Sequence, residues 1–121
     1  MKFSISTLFL LLSLCLVSNL ANAADITFNG EGDGTSWQDP NNWDLDRVPT
    51  FEDNVFMFQD FEVVIQVGFT QAFRLQVSNG VTLTISENAV LSISSFTNKN
   101  EALNVTGGAD LINNGTIHII F

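Results

Sequence analysis

The sequence predicts an all-β chain, a short parallel β-solenoid behind an N-terminal cap, on three observations. Beyond residue 24 the chain is rich in Val, Ile, Phe, Thr, Ser, Asn and Gly and poor in Lys and Ala, the residue usage of strands and turns. Apolar residues alternate at period two in short stretches, and no sustained helical period appears among them. Those stretches also recur at a nearly fixed spacing, the mark of stacked repeats.

Residues 1–23 read as a cleaved secretory signal. Met1-Lys2 supplies the positive start, Leu8 to Val17 a short apolar run, and Ala21-Asn22-Ala23 the small-x-small cleavage pattern. The run is shorter than the roughly 20 apolar residues of a membrane span. Leu14 stands where lipidation of Cys15 requires a small residue. The expected location is secreted, extracellular or at the cell surface, with no stable membrane insertion after cleavage. Cys15 is the single cysteine, so residues 24–121 have no disulfide to staple them. The formal charge of −9 grows more negative once Lys2 leaves, which argues against nucleic acid and anionic membranes as partners, since both need clustered cations.

Residues 24–54 form the expected cap and loop region. The stretch "GTSWQDPNNWDLDRVPTFEDNV" holds both tryptophans, Trp37 and Trp43. The first coil of a solenoid would present its inward apolar stripe to water, and two indoles bury roughly 150–250 Å² each. Trp37 and Trp43, with Val48, Phe51 and Val55, are therefore expected to close that end. Asp39-Pro40-Asn41 supplies a turn and Pro49 fixes the approach to the first coil. The carbohydrate alternative leaves a ring exposed to stack on a sugar, with Trp37 and Trp43 as platforms and Asn41, Asn42 and Asp44 hydrogen-bonding hydroxyls. A calcium alternative uses the oxygens of Asn29, Glu31 and Asp33, completed by Asp39 or Asp44, around the turn that Gly34 allows. Pro40 stands where an EF-hand would need its bidentate Glu, so no EF-hand is expected. No cofactor is expected other than this calcium alternative.

Residues 55–121 form the expected solenoid coils. In "VFMFQDFEVVIQVGFTQAF", Phe56, Phe58, Phe61, Phe69 and Phe73 join Val63, Ile65 and Val67 as the expected widest part of the core, with Asp60 at a bend and Gly68 at a turn. Farther on, Leu75 matches Leu103, Val77 Val105, Gly80 Gly108 and Leu83 Leu111 at a spacing of 28, then Leu91 matches Ile117 and Ile93 Ile119 at 26. Asn79-Gly80, Glu87-Asn88, Gly107-Gly108 and Asn114-Gly115 separate the strands. Ile85 falls opposite Asn113, so the middle strand of the second coil is expected to end early or bend. The competing fold is an antiparallel β-sandwich with Asn79-Gly80 and Asn114-Gly115 as hairpin turns, but the run from 25 to 50 supplies too little alternation for its roughly seven strands.

The order Gly34-Thr35-Ser36-Trp37, Asp39-Pro40-Asn41-Asn42-Trp43, Val48-Pro49 and Asp53-Asn54-Val55, followed by weak β-repeats, resembles the N-terminal region of bacterial secreted right-handed parallel β-helix proteins, which are adhesin-like or cell-surface repeat proteins. The resemblance covers roughly residues 26–121. It implies a right-handed β-helix with a structural or adhesive role, as a fragment or capping domain, since such chains continue through more coils. The expected partners are extracellular glycans, from the carbohydrate alternative, or another β-solenoid chain at the C-terminal edge, where an exposed strand edge seeks pairing.

Catalysis finds little support in the sequence, and no enzyme activity or catalytic residue is expected. His118, the single histidine, points outward by alternation, and residues 24–121 offer neither a cysteine nucleophile nor a Gly-flanked serine elbow. The enzyme alternative is a polysaccharide-active remnant using two of Glu62, Glu87, Glu101 and Asp110. Thr82 and Thr84 form one outward Thr rung, which Asp110 and Ile112 do not continue. Asn104-Val105-Thr106 and Asn114-Gly115-Thr116 are glycosylation sequons.

Overall fold

The computed structural model describes residues 24–95 and 101–120. The signal-peptide reading of residues 1–23 lies outside them. Ten strands are described: β1 (Asp25–Thr27), β2 (Asn54–Met57), β3 (Glu62–Ile65), β4 (Gly68–Ala72), β5 (Arg74–Val77), β6 (Thr82–Ile85), β7 (Ala89–Ser94), β8 (Leu103–Val105), β9 (Asp110–Asn113) and β10 (Thr116–Ile120). A 3-10 turn at Pro40–Asn42 lies between β1 and β2. Among the described residues no helix is long and apolar enough to cross a membrane.

The chain is all-β with parallel sheets. The first sheet has the order β1-β2-β5-β8, the second β3-β6-β9 and the third β4-β7-β10. The chain therefore visits the three sheets in one cyclic order, three times in succession from β2 to β10. Every pairing between named strands is parallel. β1 and β2 pair in parallel and from β2 onward no two consecutive strands pair, so the antiparallel sandwich is not the fold. Asn79-Gly80 is a corner between the first and second sheets instead of a hairpin turn, with Asn79 at φ 53° and Gly80 at φ 78°. Two successive left-handed residues turn the chain sharply, which glycine and asparagine tolerate best.

The strand register follows the inward alternation. Leu75 pairs with Leu103 and Val77 with Val105, Leu83 with Leu111, Leu91 with Ile117 and Ile93 with Ile119. These are the residues that the spacings of 28 and 26 match in the sequence. An earlier round precedes them at a shorter offset, with Val55 on Leu75, Val63 on Leu83 and Thr70 on Leu91. The inward side chains thus stack strand upon strand, in two mainly apolar columns per sheet. Val55, Met57, Val63, Ile65, Leu75, Val77, Leu83, Ile85, Leu91 and Ile93 are all buried.

Two expectations need correction. The phenylalanines of residues 56–73 do not fill the widest part of the core, because alternation gives the inward positions to Val55, Met57, Val63, Ile65 and Ala72. Phe58, Val67 and Phe69 are exposed, and Phe56 and Phe73 are half-buried. Phe61 alone of the five packs against the core. The middle strand of the last round also neither ends early nor bends. Asn113 stays in register with Ile85, is exposed, and its side chain accepts from the Gly115 N–H.

Candidate functional site

The end of the stack that carries the tryptophans is built as a reduced round. Strand β1 pairs onto β2, with Ile26 above Val55. Ser36 forms a parallel bridge to Val64, in which Trp37 N–H donates to the Val64 carbonyl at 3.0 Å and Val64 N–H to the Thr35 carbonyl at 2.8 Å. Residues 35–37 therefore cover the outer edge of β3 as a strand would. One residue past the bridge, Trp37 takes the inward position, the column of Ile65. Sequence pattern missed this rung because a single bridge leaves no alternation to read.

The aromatic rings then close the end. Trp37 and Trp43 meet edge to face with centroids 5.0 Å apart, Trp43 meets Phe28 at 5.2 Å, and Phe28 meets Phe61 at 5.1 Å. Such pairs are worth about 0.5–1.5 kcal/mol beyond the area they bury. Trp37 and Trp43 are each 0% exposed. Trp43 Nε1–H donates to the Trp37 carbonyl at 2.8 Å, whereas Trp37 Nε1 is buried without a hydrogen-bond partner. Of the other residues expected to cover this end, Val55 is buried and Val48 half-buried, but Phe51 is exposed.

A polar knot holds the Trp segment in place. The Asn42 side chain is wholly buried and uses its full capacity: Oδ1 accepts from the N–H groups of Gly32 and Gly34, both at 2.9 Å, and Nδ2 donates to Asp33 Oδ1 at 2.7 Å and the Ser36 carbonyl at 2.9 Å. Asp33 Oδ1 also accepts from the Thr35 and Ser36 N–H groups. The Ser36 amide, then that of Thr35 and the Asn42 side chain, hold the Asp33 carboxyl well below the usual carboxylate range. Asp39 caps the 3-10 turn by accepting from Asn41 N–H, and its other oxygen accepts from Asp33 N–H. Side-chain oxygens of Asp39 and Asn42 occupy the space a Cβ at Gly32 would need.

A second clamp joins the loop to the first full round. Arg47 grips Asp53 with both nitrogens, at 2.6 and 2.9 Å, and Thr50 donates to the same carboxylate through its N–H and hydroxyl. Asp53 is 2% exposed. Burial alone would raise its pKa, but the hydrogen bonds from Arg47 and Thr50 outweigh burial and hold it below the ordinary value.

The residues proposed from sequence as ligands fall into this arrangement. The rings of Trp37 and Trp43 have no exposed face for a sugar to stack on, which corrects the carbohydrate alternative at this loop. Asn41 and Asp44 are exposed, with Asp44 Oδ1 accepting from Thr27 N–H. Of the calcium set, Asn29 accepts from Glu31 N–H, and Asp33 and Asp39 direct their oxygens at backbone amides of their own loop. Among the described residues no three His, Cys, Asp or Glu side chains are grouped to hold a metal ion. Of the carboxylates considered for catalysis, Glu62 and Asp110 share one row of the second sheet on either side of Thr82, Glu87 is in the turn before β7, and Glu101 meets Arg74 at 3.4 Å. His118 is exposed, paired with Ser92.

Sequence reading passed over the outer face of the first sheet. Asn54, Phe56, Arg74, Gln76, Glu101 and Asn104 line an open groove of about 290 Å³ there, floored by the backbone of β2 and β5. No family model matches the chain, and neither the curated proteins nor the solved structures give a match.

Proposed function

We propose that the chain is a secreted or cell-surface module of right-handed parallel β-helix type with a structural and adhesive role, in which residues 24–54 seal the N-terminal end of the stack. The observation that carries this reading is the Ser36–Val64 bridge with the two buried indoles behind it. A loop that continues the second sheet by one rung and plugs the interior protects the first round from water and its strand edge from other chains. The fixed cyclic order of the three sheets supports the β-helix, and the acidic surface supports solubility outside the cell. The role needs no catalytic group.

Two measurements test the reading separately. Tryptophan emission of the purified chain is expected to be blue-shifted and resistant to acrylamide; red-shifted, readily quenched emission would show that the seal does not exist. Cells displaying the chain on their surface are expected to adhere to glycan-coated plates more than cells carrying the bare display scaffold. Equal adhesion would remove the adhesive role.

A further inference from the structure

We propose that the groove on the outer face of the first sheet binds a neutral saccharide unit. The groove lies on the outer face of the first sheet, whereas Trp37 and Trp43 are buried at the end of the stack. Alternation along β2, β5 and β8 turns Phe56, Gln76 and Asn104 outward, and the register aligns them in one row, Phe56 beside Gln76 and Gln76 beside Asn104. Adjacent parallel strands are about 4.8 Å apart, so a phenyl ring and two primary amides succeed one another at that spacing. Phe56 is held in place by stacking on Phe58, with centroids 5.3 Å apart and planes 27° from parallel.

This combination suits a sugar. Each amide offers a donor and an acceptor, which a pair of vicinal hydroxyls can satisfy together. The C–H face of a pyranose supplies the apolar surface that an aromatic ring covers. The volume falls just below the roughly 300–1,000 Å³ of small-molecule sites, which fits a single sugar unit or the end of a glycan.

Other ligand classes fit less well. The Arg74–Glu101 pair at the rim balances its own charge, and the chain as a whole carries −9, so the field repels anions. Beneath the groove β2 and β5 are paired on both sides, so its floor offers an extended peptide no strand edge, and the edge strand β8 contributes to the lining through Asn104 alone. The polar row gives an apolar ligand no place to bury itself.

Saturation-transfer NMR tests the proposal on the chain made in a host that does not glycosylate Asn104. The probes are the methyl glycosides of glucose, galactose, mannose and N-acetylglucosamine, with glucuronate as the anionic comparison. At least one neutral glycoside is expected to receive saturation, and Gln76→Ala and Asn104→Ala are each expected to weaken it by about tenfold, the loss of one or two hydrogen bonds. Both positions face outward, and thermal melting checks that the variants remain folded. Tryptophan emission is expected to stay constant on binding. Silence from all four neutral probes, a preference for glucuronate, undiminished binding in both variants, or an indole response that puts the ligand at the Trp end would each overturn the proposal.

Discussion

Asn42 and Asp33 show how single side chains can set the shape of a loop that has almost no regular structure. Asn42 makes four hydrogen bonds from a buried position, so Asn42→Ala strands two glycine amides and the Ser36 carbonyl. Leaving buried polar groups unpaired costs about 1–3 kcal/mol each, and partial access of water to the loop brings the expected total to about 3 kcal/mol, read as a loss in urea unfolding free energy. Asp33 makes the same loop sensitive to acid. Its folded pKa is depressed, so its contribution to stability is present above the ordinary carboxylate value and disappears as pH falls through the folded value. Asp33→Asn is expected to be less stable than the parent at pH 7, with the gap narrowing in the acid range below about pH 4. Urea midpoints between pH 7 and pH 2 would show it, and a gap independent of pH would mean that the charge is not what holds the loop. The loop was legible in sequence as a cluster of Asn, Asp and Gly, but its meaning was not. Oxygen-bearing residues at alternate positions look alike whether they face a cation or the backbone amides of their own turn.

The strands show where periodicity is a sound guide and where it misleads. The spacings of 28 and 26 are read from apolar alternation, and the same residues pair in the sheets. The earlier round escaped notice because it is shorter, with offsets of 20 between β2 and β5 and between β3 and β6. Its phenylalanines also hid the pattern, since Phe56 and Phe58 are bulkier than the inward Val55 and Met57 yet lie on the other face. Position in the stack should set the cost of a core deletion. Leu83 lies between Val63 and Leu111 and is fully buried, whereas Leu111 has a strand neighbour on one side and is half-buried. Leu83→Ala is expected to cost about 3 kcal/mol and Leu111→Ala about 1 kcal/mol in denaturant unfolding. Equal costs would mean that position in the stack does not set the cost. Gly115→Ala belongs at this scale too. The carbonyl oxygens of Ser86 and Ala89 occupy the space its Cβ would need, so a fall of several degrees in Tm is expected from displaced backbone where β7 and β10 meet.

For the whole molecule the net charge works against compactness, thirteen acidic residues against four Lys and Arg. Salt screens exposed like charges over about 8–10 Å at physiological strength, so raising NaCl from 0.05 to about 0.5 M is expected to raise Tm. A fall would mean that the Arg47–Asp53 clamp and similar attractive pairs outweigh the repulsion. The regularity of the pairing matters in a different way. Strand after strand finds its partner upstream, 29 residues back for β2, 20 for β5 and β6, and 28 for β8 and β9. Apart from β4, which pairs downstream with β7, each strand from β2 to β10 thus has a partner nearer the N-terminus, and the rung made by residues 25–37 is itself completed by β2 and β3. A chain that leaves a ribosome N-terminus first can therefore complete its foundation once residues 25–65 have emerged and add later layers onto that surface, making folding a vectorial process that runs in the direction of synthesis.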